Sequence, residues 1–141
     1  MGLEAMVKRY AGITCLVVLA VTSSCSSGGS ASPLALYPGN PEGRTALLRG
    51  TLEMEGRCLY IAGEGGERWL AAFPSPGTTW NPEDRSVRVG DKVLRVGATG
   101  RFGGGESKES KRGPSAFPWV QAPNAACDSS KIWVVTTLTD P

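Results

Sequence analysis

From Thr45 to the end of the chain, apolar side chains recur in short runs with a period of two, interrupted by glycine and proline. Leu48, Gly50, Leu52 and Met54 fall on one face, and Arg49, Thr51, Glu53 and Glu55 on the other, the pattern of a half-buried strand. Gly56 and Arg57 form a tight turn into a second strand at residues 58–62, CLYIA. The glycine-rich turn at 63–67 leads to a third strand at 68–73, RWLAAF, so the first three strands predict a meander. Residues 74–85, PSPGTTWNPEDR, hold three prolines and predict a loop wrapping the sheet. Residues 86–89 are short and extended, and Gly90 and Asp91 make a turn. Residues 92–102, KVLRVGATGRF, then predict one longer strand bent at Gly97 and Gly100. Residues 103–115 have almost no apolar content and predict a mobile loop. The closing strand is expected at 131–138, with Trp133 and Val135 on one face and Ile132, Val134 and Leu138 on the other.

Ahead of these strands the pattern differs. Residues 12–25, GITCLVVLAVTSSC, form an uncharged apolar run preceded by Lys8 and Arg9 and closed by small residues, which reads as an export signal. Its apolar core, residues 11–21, is shorter than the roughly 20 residues a membrane-spanning helix needs. Residues 26–43 are rich in Ser, Gly and Pro and read as a linker that holds the domain on the order of 25 Å from its attachment. The expected organisation is a signal peptide at 1–24, a lipidated cysteine with a flexible tether at 25–44, and a single β-barrel domain at 45–141.

No segment after Cys25 carries a helical period, so the expected class is all-β. About five principal strands suit a small closed barrel better than a sandwich. The sequence GTL at 50–52 followed by VGDKVLRVGATG at 89–100 resembles OB-type barrels, in which a Gly-Asp turn enters a glycine-kinked strand. That resemblance covers residues 47–138 and implies a five-stranded OB-like barrel, with the proline-rich loop in place of the usual helix. Thr22-Ser23-Ser24-Cys25 resembles a bacterial lipobox, although Thr22 stands where an aliphatic residue is usual. The layout as a whole resembles small bacterial lipoproteins with an OB-like domain, which implies a palmitate-bearing Cys25 as membrane anchor.

Loss of the signal removes Glu4, Lys8 and Arg9 and leaves 13 basic and 12 acidic side chains, close to neutral. Such a balance gives no electrostatic footprint for nucleic acid. With Cys15 in the signal and Cys25 lipidated, Cys58 and Cys127 remain in a compartment that permits disulfides, and they are expected to pair. Metal and redox roles are set aside for lack of a CxxC pair and of any histidine.

The absence of histidine also excludes Ser-His and Cys-His catalysis. Glu53 and Glu55 lie about 7 Å apart on one strand face, a spacing open to a glycosidase pair but commoner as solvated charge. Asn81, Glu83 and Asp84 offer oxygen ligands without the order of an EF-hand loop, and read as turn chemistry. Gly103, Gly104 and Gly105 lack the following Lys-Ser/Thr of a phosphate cradle. Lys108, Lys111 and Arg112 are interleaved with Glu106 and Glu109. Trp69 and Trp133 are expected in the barrel interior. Trp80 and Trp119 lie in proline-flanked loops, where they cap the barrel or, beside Arg85 or Arg101, stack on a ligand.

These features predict a non-enzymatic binding or interaction module without cofactor or metal, exported and held at the cell envelope through a lipid anchor. Its expected partner is an envelope protein or glycan, and not nucleic acid. The alternatives are a carboxylate-dependent envelope glycan hydrolase, an OB-type oligonucleotide binder and, for location, a secreted or periplasmic soluble protein.

Overall fold

The computed structural model describes residues 32–39 and 44–141; the export segment and Cys25 lie outside them. The chain is all-β. Nine strands run in the order β1 (Ala35–Pro38), β2 (Ala46–Glu55), β3 (Cys58–Gly63), β4 (Arg68–Ser75), β5 (Thr78–Asn81), β6 (Ser86–Val89), β7 (Lys92–Arg95), β8 (Thr99–Glu106) and β9 (Ile132–Thr139), with two short 3-10 turns at Glu109–Arg112 and Pro114–Ala116. One sheet has the order β1-β4-β3-β2-β8-β9 with a further pairing of β4 to β9, and a second has the order β5-β6-β7. Six and three strands thus stand where five were expected.

Two of the extra strands arise where proline obscured the pattern. Trp80 lies on β5, because Pro76 and Pro82 fall outside that strand and leave every ladder amide of residues 78–81 free to pair with β6. The long strand expected at 92–102 is divided into β7 and β8, which belong to different sheets. At the junction Val96 N–H donates to the Arg85 carbonyl (2.8 Å) and Gly97 N–H to the Leu52 carbonyl (2.7 Å), so neither amide serves a ladder.

The segment expected as a tether, 25–44, contains β1. Leu34, Ala35 and Tyr37 are buried there, β1 pairs in parallel with residues 72–75 of β4, and the Tyr37 hydroxyl donates to the Val135 carbonyl at 2.6 Å. Four residues that end on Pro38 and start two after Pro33 are too few for alternation to stand out from a proline-rich background. On the other side Leu36 is held by residue 121, whose carbonyl accepts from Leu36 N–H at 2.9 Å.

Two apolar clusters share the main sheet. The interior one gathers Leu52, Ile61, Phe73, Phe102, Trp69 and Trp133, and the second sheet adds Val87, Val89 and Leu94 to it. Trp69 and Trp133 meet edge to face with centroids 5.5 Å apart, as expected of interior residues, and both indole N–H groups are buried without a hydrogen-bond partner. The outer cluster forms where residues 107–131 fold over β3, β4 and β9: Tyr37, Tyr60, Leu70, Ile132 and Val134 are covered by Phe117, with Trp119 packed beside it. The expected mobile loop is therefore an ordered cover. Its Ser107 and Ser110 are buried, and the Ser110 hydroxyl donates to the Ser107 carbonyl at 2.7 Å. Cys58 and Cys127 are joined by a disulfide across 69 residues, which fastens this cover to β3.

Leu138 faces inward, opposite to the parity expected for β9. Gly103 pairs with Thr137 and Gly104 with Val135, so Thr136 is an extra residue and reverses the side-chain alternation beyond it. The facing glycine is required there. Gly104 has φ +147°, and a Cβ on it would run into the Val134 carbonyl oxygen.

Candidate functional site

A cleft of about 220 Å³ opens where the β2–β3 turn, the β5–β6 turn and the start of the described chain meet. Its walls are Pro33, Met54, Arg57, Trp80, Pro82 and Arg85. The local sequence explains each wall. Met54 is the last inward-facing position of β2. Gly56 follows with φ +58°, the value the first central residue of a type II′ hairpin turn needs, and this sets Arg57 at the exposed tip. On β5, Trp80 pairs with Val87, and its partly buried ring packs against the interior cluster while it lines the cleft.

The β5–β6 turn is held by its own side chains. Asn81 Oδ1 accepts from Glu83 N–H at 3.0 Å, and Asp84 Oδ1 accepts from the Ser86 hydroxyl at 2.6 Å. The three oxygen-bearing residues considered for calcium thus serve the turn, and no cluster of metal-ligating side chains occurs among the described residues. Arg85 closes the turn with φ +51°, the one non-glycine residue with positive φ among those described. A left-handed conformation at a long side chain costs of order 1 kcal/mol or more. It is held because the Arg85 carbonyl accepts from Val96 N–H and Ser86 pairs immediately with Arg95.

Of the four residues singled out for ligand binding, Trp80 and Arg85 are brought together. Trp119 stands against Phe117, with ring centroids 4.3 Å apart, and lines a separate cleft of about 210 Å³ near Asn124, Cys127 and Ser129, whose walls among the described residues carry no charged side chain. Arg101 lines neither cleft. It sits exposed on β8 directly opposite Arg49, a like-charge pair eased by the ion pair of Arg49 with Glu64 at 3.1 Å. Sequence reasoning missed Arg57, Met54 and Pro33. Arg57 beside a turn glycine was the legible signal; Pro33 was hidden in the segment read as tether.

The remaining candidates have structural partners. Glu55 pairs with Arg68 through a side-chain hydrogen bond, which raises the Arg68 pKa, and that guanidinium also lies 3.7 Å from the centroid of Tyr60. Glu53 is exposed beside them on β2. Glu109 is held below the ordinary carboxylate range, first by the hydrogen bond from the Ser107 hydroxyl (2.6 Å) and then by its own backbone amide. Asp128 is lowered likewise by the Ser130 amide and hydroxyl. Among the described residues no helix is long and apolar enough to cross a membrane. Comparison of the chain with family models, curated proteins and solved structures finds no match.

Proposed function

We propose that this chain is an exported lipoprotein of the cell envelope, anchored through Cys25, whose OB-like domain works as a non-enzymatic binding module. The domain reading is supported by the strand pairings, which run β2-β3-β4-β9-β8 and back to β2 with β4 and β9 parallel, as a five-stranded OB-like barrel requires. In that reading the three-stranded sheet β5-β6-β7 takes the place of the helix between the third and fourth barrel strands, and β1 is an added edge strand. The export reading is supported by the run at residues 12–25 and by the Cys58–Cys127 disulfide, which suits an oxidising compartment.

The observation that carries the binding reading is the convergence of Trp80, Arg57 and Arg85 on one partly apolar cleft. An aromatic plane flanked by two guanidinium groups suits a ligand with an apolar body and an anionic group. The oligonucleotide alternative is disfavoured because the outer face of β3 and β4, where OB barrels take such ligands, is covered by the chain's own Phe117 and Trp119. The hydrolase alternative is disfavoured because Glu53 and Glu55 lie on an exposed strand face and Glu55 is engaged by Arg68.

A photoactivatable residue at position 80, introduced into the full chain in envelopes, tests the reading. A covalent adduct with an envelope component is expected at position 80 and not at exposed Thr139. Equal labelling at both positions, or none at position 80, would overturn it.

A further inference from the structure

We infer that the Trp80 cleft docks on the phospholipid surface that holds the anchor, with Arg57 and Arg85 on anionic headgroups and Trp80 at the headgroup level. This rests on the lipid-anchored reading above and names the occupant of the same cleft.

The first argument is reach. Pro33 is buried and is itself a wall of the cleft, so the chain enters the domain at the cleft's rim. Seven residues, SSGGSAS at 26–32, separate it from Cys25. A stretch of seven residues spans about 25 Å at most, even fully extended. A folded domain of this size is roughly 30 Å across. A tether shorter than the domain keeps its point of entry, and the cleft with it, on the membrane-facing side. A ligand held far from the membrane would need the opposite face.

Composition is the second argument. Trp80, Met54, Pro33 and Pro82 give the cleft an apolar floor, and the side chains of Arg57 and Arg85 are exposed at its edge. Indole rings settle at the boundary between headgroups and acyl chains, and guanidinium groups bind phosphate in a bidentate fashion. Among the described residues no carboxylate lines the cleft. Of the acidic groups nearby, Asp84 is occupied by the Ser86 hydroxyl and Glu55 by Arg68, while Glu83 is exposed on the turn. The other aromatic cleft, at Trp119, is lined among the described residues by uncharged side chains.

The third argument is the backbone of Arg85. Glycine would take φ +51° at no cost, yet a long cation occupies the position and lines the cleft. Retained strain of this kind is expected where the side chain meets a ligand.

The test uses residues 25–141, which contain every described strand and both disulfide cysteines, with Cys25→Ser so that no acyl chain contributes. Sedimentation with vesicles of phosphatidylglycerol and phosphatidylcholine measures partition. Each of Arg57→Gln and Arg85→Gln is expected to lower the partition coefficient about fivefold, the equivalent of about 1 kcal/mol for one cation at an anionic surface. Trp80→Ala should lower it further, and Arg101→Gln should leave it unchanged. Circular dichroism confirms that each variant is folded, and Trp80→Phe serves as a milder substitute if Trp80→Ala is not. Equal partition of all variants would overturn the inference, as would loss of binding on Lys108→Gln/Lys111→Gln with none on Arg57→Gln/Arg85→Gln. Mass spectrometry of Cys25 from envelopes decides the anchor separately. A free thiol there would overturn the anchored reading and leave the vesicle result standing.

Discussion

The Tyr37 hydroxyl donates a 2.6 Å hydrogen bond to the carbonyl of Val135, 98 residues further along the chain. One end of this bond lies on β1 and the other on the last strand, so the segment that reads as linker closes the fold. Tyr37→Phe should cost about 1 kcal/mol in urea unfolding, because the Val135 carbonyl is left buried and unpaired. Deleting residues 1–44 should cost far more and leave β4 with an open edge at residues 72–75. An unchanged midpoint for the truncated chain would refute the role given to β1.

Burial pushes the Tyr37 phenol from its ordinary value of 10.0 up to about 12, with the nearby Arg44 cation offsetting part of the rise. Between these values the unfolded chain releases its proton and the folded chain retains it. Stability is therefore full below pH 10 and falls as pH rises through 12, by about 2 kcal/mol for this group. Unfolding midpoints measured from pH 9 to 12 should show this loss in the wild type, and Tyr37→Phe should flatten it.

Acid acts on the cover at 107–131. Glu109 and Asp128 both have lowered pKa values in the fold, so their contribution is present above the unfolded carboxylate range and lost as pH falls through the folded values. The Ser130 amide, which donates to Asp128 Oδ1 at 3.0 Å, should lose hydrogen-exchange protection below about pH 4 before the strands do. Simultaneous loss across the sheet would contradict a local effect.

Removing the disulfide with Cys58→Ser/Cys127→Ser should cost about 4 kcal/mol in the chain-entropy account for a closed loop of this length. Exchange should rise first at the Asp128 amide, which donates to the Tyr60 hydroxyl at 2.8 Å beside the bridge. Retained protection at Asp128 would mean that Phe117 and Trp119 hold the cover without the bridge.

Substitutions at neighbouring glycines should diverge. Gly104→Ala drives a methyl group into the Val134 carbonyl and should cost about 3 kcal/mol or more in urea unfolding, whereas Gly105→Ala meets only the flexible Arg44 side chain at 3.7 Å and should cost under about 1 kcal/mol. Arg85→Gly should work in the opposite sense for folding, raising stability by up to about 1 kcal/mol by relieving the left-handed backbone. The same substitution should weaken vesicle binding, which separates the side chain's role from the turn's.

Alternation made β2, β3, β4 and β6 and the interior Trp69 and Trp133 readable, and the cysteine pairing followed from the cysteine count and the expected compartment. What escaped had physical reasons. At β5 the prolines flank the strand and at β1 Pro38 ends it, so neither strand is interrupted and their usual meaning as breakers misled. Leu138 was assigned to the wrong face because a single unpaired residue, Thr136, changes parity without any mark in the sequence. Trp80 and Arg85 were identifiable as a loop aromatic and a cation five residues beyond it, but their union with Arg57 required the meeting of two hairpins. Arg101, similar on paper, pairs with Arg49 on the far ladder.

The cover formed by residues 107–131 leaves the strands β3, β4 and β9 with apolar neighbours on both faces. Sequence drift across this protein should accordingly be lopsided. Positions on the exposed face of β2, such as Glu53, should accept most replacements, while residues 69–73 and 132–135 should tolerate few on either parity. A saturation library selected for folding would display the second group as an unbroken block instead of the alternating stripe of an ordinary half-buried strand.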